Sequence, residues 1–229
     1  MEPYVSAKSR ADFARICAER LARDGREPHP AAAHGKKIAR SFWGYAWCRH
    51  IETWQDYENR LPMGRSLLRA GAVVSLDAED NLIRAYVADR ELYEVRIPVD
   101  APDPERLDGL RARCAGNIGS LMAFIRGEMS EEILSLLTDP ANGLFPERRE
   151  LRFICGCLDD SCLCRHAAAA LYGLGARLDD EPELFFRMRG VPPESFFSAA
   201  PLAEELSASA GEIDPEDLSG TFGIDLETF

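Results

Sequence analysis

From residue 10 to residue 23 apolar side chains return every three or four positions: Phe13, Ile16, Cys17 and Leu21 form a stripe between Arg10, Arg15, Arg20 and Arg23. That period predicts a short amphipathic helix whose arginines lie on its solvated face. Asp24-Gly25-Arg26-Glu27-Pro28-His29-Pro30 stops it, and Ala31 to Arg40, with little pattern beyond Lys36-Lys37, reads as a linker. Trp43, Trp47, Ile51 and Trp54 then recur at helical spacing, an aromatic stripe that belongs in a core. Leu61-Pro62-Met63-Gly64-Arg65-Ser66 reads as a turn that interrupts this helix.

Beyond the turn the period drops to two. Val73 to Asp77, Leu82 to Ala88 and Leu92 to Ile97 alternate apolar and polar positions across short gaps, which predicts an antiparallel meander of three strands. The helical period returns in Pro102 to Gly127, through Leu107, Leu110, Cys114, Ile118, Leu121 and Ile125, with Gly116 and Gly119 weakening its middle. It returns again in Ser130 to Leu137, where Ser130-Glu131-Glu132 supplies a cap and an acidic first turn. Asp139-Pro140-Ala141-Asn142-Gly143 breaks the chain, Leu151 to Cys157 reads as a strand, and Ala167-Ala168-Ala169-Ala170-Leu171-Tyr172 reads as a helix. Val191-Pro192-Pro193-Glu194-Ser195-Phe196-Phe197 opens a last short helix before a stretch of serine, alanine and acids.

The chemistry concentrates between Cys155 and His166, which hold four of the seven cysteines and one of the four histidines. Cys155, Cys157, Cys164 and His166 form Cys-x-Cys, six residues, Cys-x-His. Three thiolates and an imidazole are a zinc donor set, and residues i and i+2 of a strand point the same way, so Cys155 and Cys157 can reach one ion. Gly156 between them would let the backbone come close. Cys164 and His166 stand where the alanine-rich helix begins, so the ion would clamp a strand to a helix. Buried cysteines are often plain small hydrophobes and Cys-x-Cys can be a redox pair, but neither reading accounts for a histidine two residues after a cysteine at a helix mouth. Four protein donors leave no open coordination position, which points to one structural Zn2+. Cys162 leaves the identity of the third thiolate open. Cys48-Arg49-His50 has the same letters, but residues two apart on a helix diverge by about 200° and cannot share an ion.

The Cys-x-Cys and Cys-x-His pairs, with the helical run after His166, Leu178-Asp179-Asp180-Glu181-Pro182 and Leu184-Phe185-Phe186-Arg187-Met188-Arg189-Gly190, resemble the SWIM-type zinc finger of bacterial proteins associated with Swi/Snf-type helicases. The tryptophan-rich opening and Gly64-Arg65-Ser66 through Gly71-Ala72-Val73 extend the likeness, which covers roughly Phe42 to Gly190. Cys162 stands where that family has a non-ligand, and the aromatic residue often found in the loop is missing. The resemblance implies a strand-strand-helix finger. The expected fold is therefore α+β, helices around a small antiparallel meander followed by the finger. Residues 1–40 would be a basic helical arm and linker, 41–139 an α+β body, 140–190 the finger with its helical continuation, and 191–229 an acidic tail.

Charge sharpens the choice of partner. The formal net charge is −12, yet from Asp179 onward there are 13 acidic and 2 basic residues against 26 and 25 before it. A near-neutral body can still meet phosphate locally, since patches set the field. SWIM fingers are viewed as DNA-binding or protein-binding modules, so the resemblance implies a nucleic-acid partner, DNA ahead of RNA, or a helicase-type protein. Arg65, Arg69, Arg148, Arg149, Arg152 and Arg165 are the candidate phosphate contacts. A purely protein-binding module is the alternative, with Leu184-Phe185-Phe186 and Phe196-Phe197 as its surfaces. No phosphate-binding glycine loop, His-Glu-x-x-His or nucleophile with a base partner is present, so no enzyme is expected; Cys162 would be the thiol to suspect. No stretch approaches the roughly 18 apolar residues of a membrane span, and no secretory signal precedes the body, so a reducing cytoplasm is the expected compartment.

Overall fold

The alternating stretches form the predicted meander in the computed structural model, which describes residues 7–35, 37–54, 59–114, 130–159 and 161–196. β1 (Val73–Glu79), β2 (Leu82–Ala88) and β3 (Leu92–Pro98) pair in sequence order, all antiparallel. Glu79 faces Leu82 across a two-residue hairpin whose centre, Asp80 and Asn81, has φ of 49° and 61°. Such a turn needs positive φ at both positions, which Asp and Asn tolerate better than other side-chain-bearing residues. An irregularity between Val73 and Ser75 lets Val73 and Leu76 both enter the main core while Val74 joins a smaller cluster on the other face.

Among the described residues seven α-helices surround this sheet: α1 (Ala7–Arg23), α2 (Phe42–Glu52), α3 (Leu61–Arg69), α4 (Pro104–Cys114), α5 (Glu131–Leu137), α6 (Arg165–Arg177) and α7 (Leu184–Arg187). The class is α+β. α1 packs Cys17 and Leu21 against Val74 and Ala88 on the outer face of β1 and β2. α6 lies on the inner face, against Leu76, Ala85 and Val95, and α2 and α3 cover its other side. Covered on both sides, α6 is buried from His166 to Arg177, which explains its lack of a polar face.

Small residues make that position possible. A Cβ added to Gly44 of α2 would lie 2.2 Å from the carbonyl oxygen of Gly175 in α6, and one added to Gly64 of α3 would lie 2.5 Å from Ala168. Real Cβ atoms do not approach so closely, so the helix axes meet where side chains are absent. The stretch read as a turn at Leu61 to Ser66 is accordingly helix: Pro62 occupies the first turn, where its missing N–H is no loss, and Gly64 is a contact point. The stretch read as a linker from Ala31 to Arg40 also differs, because it and the turn before it pack on β1 and the core. Ala31 N donates to Val73 O, Leu76 N donates to His29 O, and Ala31, Ile38 and Ala39 are buried.

The expected strand from Leu151 to Cys157 shrinks to β4 (Ile154–Cys155), preceded by a bridge between Leu151 and Val99. β4 pairs Cys155 with Val95 and Ile154 with Arg96, so it is the fourth strand of the meander and not part of a separate strand pair. The chain must leave the sheet at Gly156 for Cys157 to turn back toward α6. Ser130 caps α5 as expected, accepting from Ile133 N. The helix expected over Pro102 to Gly127 is present as α4, and its remainder, residues 115–127, lies outside the described residues, as does the tail from residue 197.

Candidate metal centre

Three elements bring the donors together. β4 delivers Cys155 from the edge of β3, the bend after it delivers Cys157, and the start of α6 delivers Cys164 and His166. Their ligand atoms all lie within 4.8 Å of one another. Cys155 Sγ stands 3.7 Å from His166 Nδ1. A tetrahedron with Zn–S of about 2.3 Å and Zn–N of about 2.0 Å separates its donors by about 3.5 to 3.8 Å, so that edge already has the required length. Cys164 and His166 are buried, Cys155 and Cys157 half-buried. The donor set therefore fits one metal ion. Cys162 is exposed and outside the cluster, which leaves Cys164 as the third thiolate.

Each ligand is held by something else. His166 Nε2 faces Asp89 Oδ2 at 3.2 Å, so Nε2–H donates to the carboxylate and the Nδ1 lone pair is turned to the sulfurs. Tyr93 stacks on the imidazole with ring centroids 4.1 Å apart. Tyr93 and Val95 share a face of β3, and Val95 is the partner of Cys155, so one strand positions two ligands. Asp89 also accepts from Arg165 at 2.7 Å, which draws the first residue of α6 toward the β2–β3 turn. Neither Asp89 nor Tyr93 was marked by sequence reasoning. Asp89 is 77 positions from its histidine, and a carboxylate in a hairpin turn carries no local signal of that role.

Cys164 is the N-cap of α6, and its sulfur accepts from Ala167 N. Hydrogen bonding from Cys155, with that from the Ala167 amide, pushes the Cys164 thiol down to about 4 against the opposing effect of burial. The helix dipole adds to this, since thiolates are favoured at helix N-termini. Cys155 moves the other way, because its proton hydrogen-bonds Cys164 and because it is buried; burial also raises Cys157. By itself the cluster holds one thiolate readily and resists a second. A divalent cation removes that resistance and deprotonates a coordinating thiol outright. Gly156 plays a different part from the one expected, because a Cβ there would meet nothing within 4 Å and no close backbone approach requires it.

The loop between the two ligand pairs is tied by polar contacts more than by burial. Asp159 Oδ1 accepts from Ser161 N at 3.1 Å and from Arg60 at 3.1 Å, linking the loop to the start of α3. Leu163 is buried, whereas Leu158 is fully exposed.

The other predicted residues have more varied places. Arg65 donates to Glu52 at 2.8 Å and to the Tyr172 hydroxyl at 2.9 Å. Arg149 pairs with Glu147, Arg152 with Asp100 and Arg165 with Asp89. Arg69 is exposed at the end of α3, and Arg148 begins a short 3-10 turn, Arg148–Glu150. Cys48 and His50 lie on α2 away from any donor cluster among the described residues; His50 Nε2 donates to Pro146 O. Leu184, Phe185 and Phe186 are fully buried and Phe196 nearly so, which removes them as contact surfaces. Apolar neighbours in sequence had suggested a patch, but ring packing of Phe185 on Trp43 and Phe145 shows them to be core.

No protein-family model matches the chain, and no solved structure matches it significantly. Among the described residues no helix is long and apolar enough to cross a membrane. The chain is similar to the uncharacterized protein Rv2102 of Mycobacterium tuberculosis, 32% identical over 166 residues, which are 70% of this chain and 59% of that protein. It thus spans about three fifths of the length of the relative it matches.

Proposed function

We propose that the chain is a non-enzymatic zinc-binding module related to SWIM-type fingers, that its ion is structural, and that it works in the cytoplasm by binding nucleic acid, DNA ahead of RNA, beside a helicase-type partner. The observation that carries the zinc reading is the donor set: three sulfurs and Nδ1 of a histidine whose Nε2–H is already committed to Asp89. Such a set is soft enough to prefer zinc over magnesium or calcium, and it fills four positions without a place for water. A closed site cannot activate a substrate at the metal, so the ion fixes β3, β4 and α6 relative to one another. The nucleic-acid reading is supported by Lys37, Arg40, Arg49, Arg65 and Arg69, which line one cleft of a chain whose net charge is −12. Purified protein should contain close to one zinc per chain and should bind oligonucleotides with an affinity that falls steeply with salt, by a log-log slope of about 0.7 to 0.9 per phosphate neutralised. Zinc-loaded protein that ignores both single-stranded and duplex probes at low salt would end the nucleic-acid part of the proposal and leave the metal part standing.

A further inference from the structure

Two clefts each carry three or more arginines, and they differ in how far those arginines are neutralised. One, of about 250 Å³, opens beside Cys157 and His166 and includes Arg60, Arg90 and Arg165. Two of its cations already close on carboxylates, Arg60 on Asp159 and Arg165 on Asp89. The other, of about 400 Å³, lies between the segment at Lys37 to Arg40, α2 and α3. Lys37, Arg40, Arg49, Arg65 and Arg69 line it against a single carboxylate, Glu52. Glu52 pairs with Arg65. Among the described residues the side-chain cations of Lys37, Arg40 and Arg49 form no ion pair with a carboxylate, and all three residues are exposed.

The frame around this cleft is tied by one carboxylate. Asp179, just past the end of α6, accepts from Arg40 N at 2.7 Å and from Ser41 N at 2.8 Å, and His34 Nε2 lies 3.3 Å from the same carboxylate. That one side chain fixes the basic segment and the start of α2. Cys48, which lines the cleft, lies against Gly175 of α6 on its buried side. Cys48 is no nucleophile there: burial pushes its thiol up to about 12.

The rim adds a second chemistry. Tyr45 lines the cleft and is 58% exposed, and Phe42, one turn earlier on α2, is 40% exposed. Phe42, Tyr45 and Arg49 are spaced three and four apart, so two aromatic rings and a cation follow one another along one face of the helix. A duplex offers phosphates to such a face but no ring to stack on; an unpaired strand offers both. We propose that this cleft binds the sugar–phosphate backbone of single-stranded nucleic acid through Lys37, Arg40 and Arg49, with Tyr45 and Phe42 stacking on its bases. The inference rests on the nucleic-acid reading above and moves its contacts from the finger arginines to the opposite side of α3.

The test uses zinc-loaded full-length protein and a labelled oligothymidylate of about twelve nucleotides, followed by anisotropy at about 50 and about 200 mM salt. Lys37→Glu with Arg49→Glu should weaken binding at least about tenfold and flatten the salt dependence. Tyr45→Ala should weaken it about fivefold or more with the salt dependence unchanged, as loss of a stacked base requires. Arg149→Glu with Arg152→Glu should stay within about twofold of the parent. These side chains are exposed, and an unchanged zinc content and circular dichroism spectrum would confirm that each variant is folded. Loss of binding in the Arg149 and Arg152 variant with the cleft variants intact would overturn the inference while the nucleic-acid reading stands. Equal competition by duplex, or a cleft variant that loses anionic phosphatidylglycerol vesicles and not the oligonucleotide, would overturn it too. No binding by the parent protein at either salt would refute the underlying reading itself.

Discussion

The loop between Cys157 and Cys164 leads into α6, and the crossing of α2 and α3 runs along the same helix from Ala168 to Gly175, yet the two are held by opposite means. In the loop, Leu158 is wholly exposed and the contacts are those of Asp159 with Ser161 and Arg60. At the crossing, Trp47, Leu68, Leu171 and Tyr172 are buried and the backbones meet at Gly44, Gly64 and Gly175. Trp47 Nε1 even donates across the interface to Leu171 O at 2.7 Å. The loop has geometry without enough apolar burial to keep it, and the crossing has burial that needs no ion. The difference suggests that metal orders the loop and that the core orders α6.

The comparison is broken most severely by filling the crossing. Gly44→Ala and Gly64→Ala place a methyl within 2.5 Å of opposing backbone, and each should cost about 3 kcal/mol or more, the upper end of what overpacking does. Urea unfolding should show this loss with zinc bound, and a midpoint within about a tenth of the parent's would mean that the helices can part cheaply.

Removing a ligand comes next. Cys164→Ser should lose most of the metal and the thiolate cap of α6, whereas Cys162→Ser should keep a full equivalent of zinc, both read by metal analysis. Asp89→Asn keeps the shape but takes away the negative partner of His166 Nε2–H, and should weaken zinc about 10- to 100-fold in a chelator competition. An unchanged affinity would reduce Asp89 to a partner of Arg165 alone.

Chelation sharpens the comparison without mutation. Hydrogen exchange should accelerate across Cys155 to His166, while amides from Ala168 through Ala176 stay protected with the sheet. Residues 140–190 read as one finger with its helical continuation would extend the effect through α6. Its placement between the sheet and α2 and α3 ties it to the core instead. Thiol labelling gives the smallest and simplest readout. With metal bound, maleimide should modify Cys162 rapidly and spare Cys48, which is buried with its thiol raised to about 12. Chelation should add Cys155, Cys157 and Cys164 to the reactive set and leave Cys48 protected.

Much of this was legible in the chain. Period two marked β1, β2 and β3 almost to the residue, and the ligand spacing marked the cluster, because both are local rules. What escaped was decided at a distance. Pro62 and Gly64 read as breakers until α6 supplies the surface that makes a glycine necessary. Phe185 and Phe186 read as a sticky pair until Trp43 and Phe145 enclose them. Asp89 carries no mark until a hairpin turn meets a helix start, and β4 is two residues long because β3, far upstream, gives it its partner. The charges followed the same pattern: Arg65 and Arg165 are adjacent to acids only in three dimensions.

The central claim is a closed zinc site of three sulfurs and one nitrogen, and zinc-edge X-ray absorption on the purified protein tests it most directly. The account predicts about three sulfur scatterers near 2.3 Å and one nitrogen near 2.0 Å, with the imidazole's outer-shell scattering and no further light-atom ligand. Two sulfurs with two light atoms, one of them exchangeable solvent, would contradict it, because an open position would turn the structural ion into one able to act on a substrate.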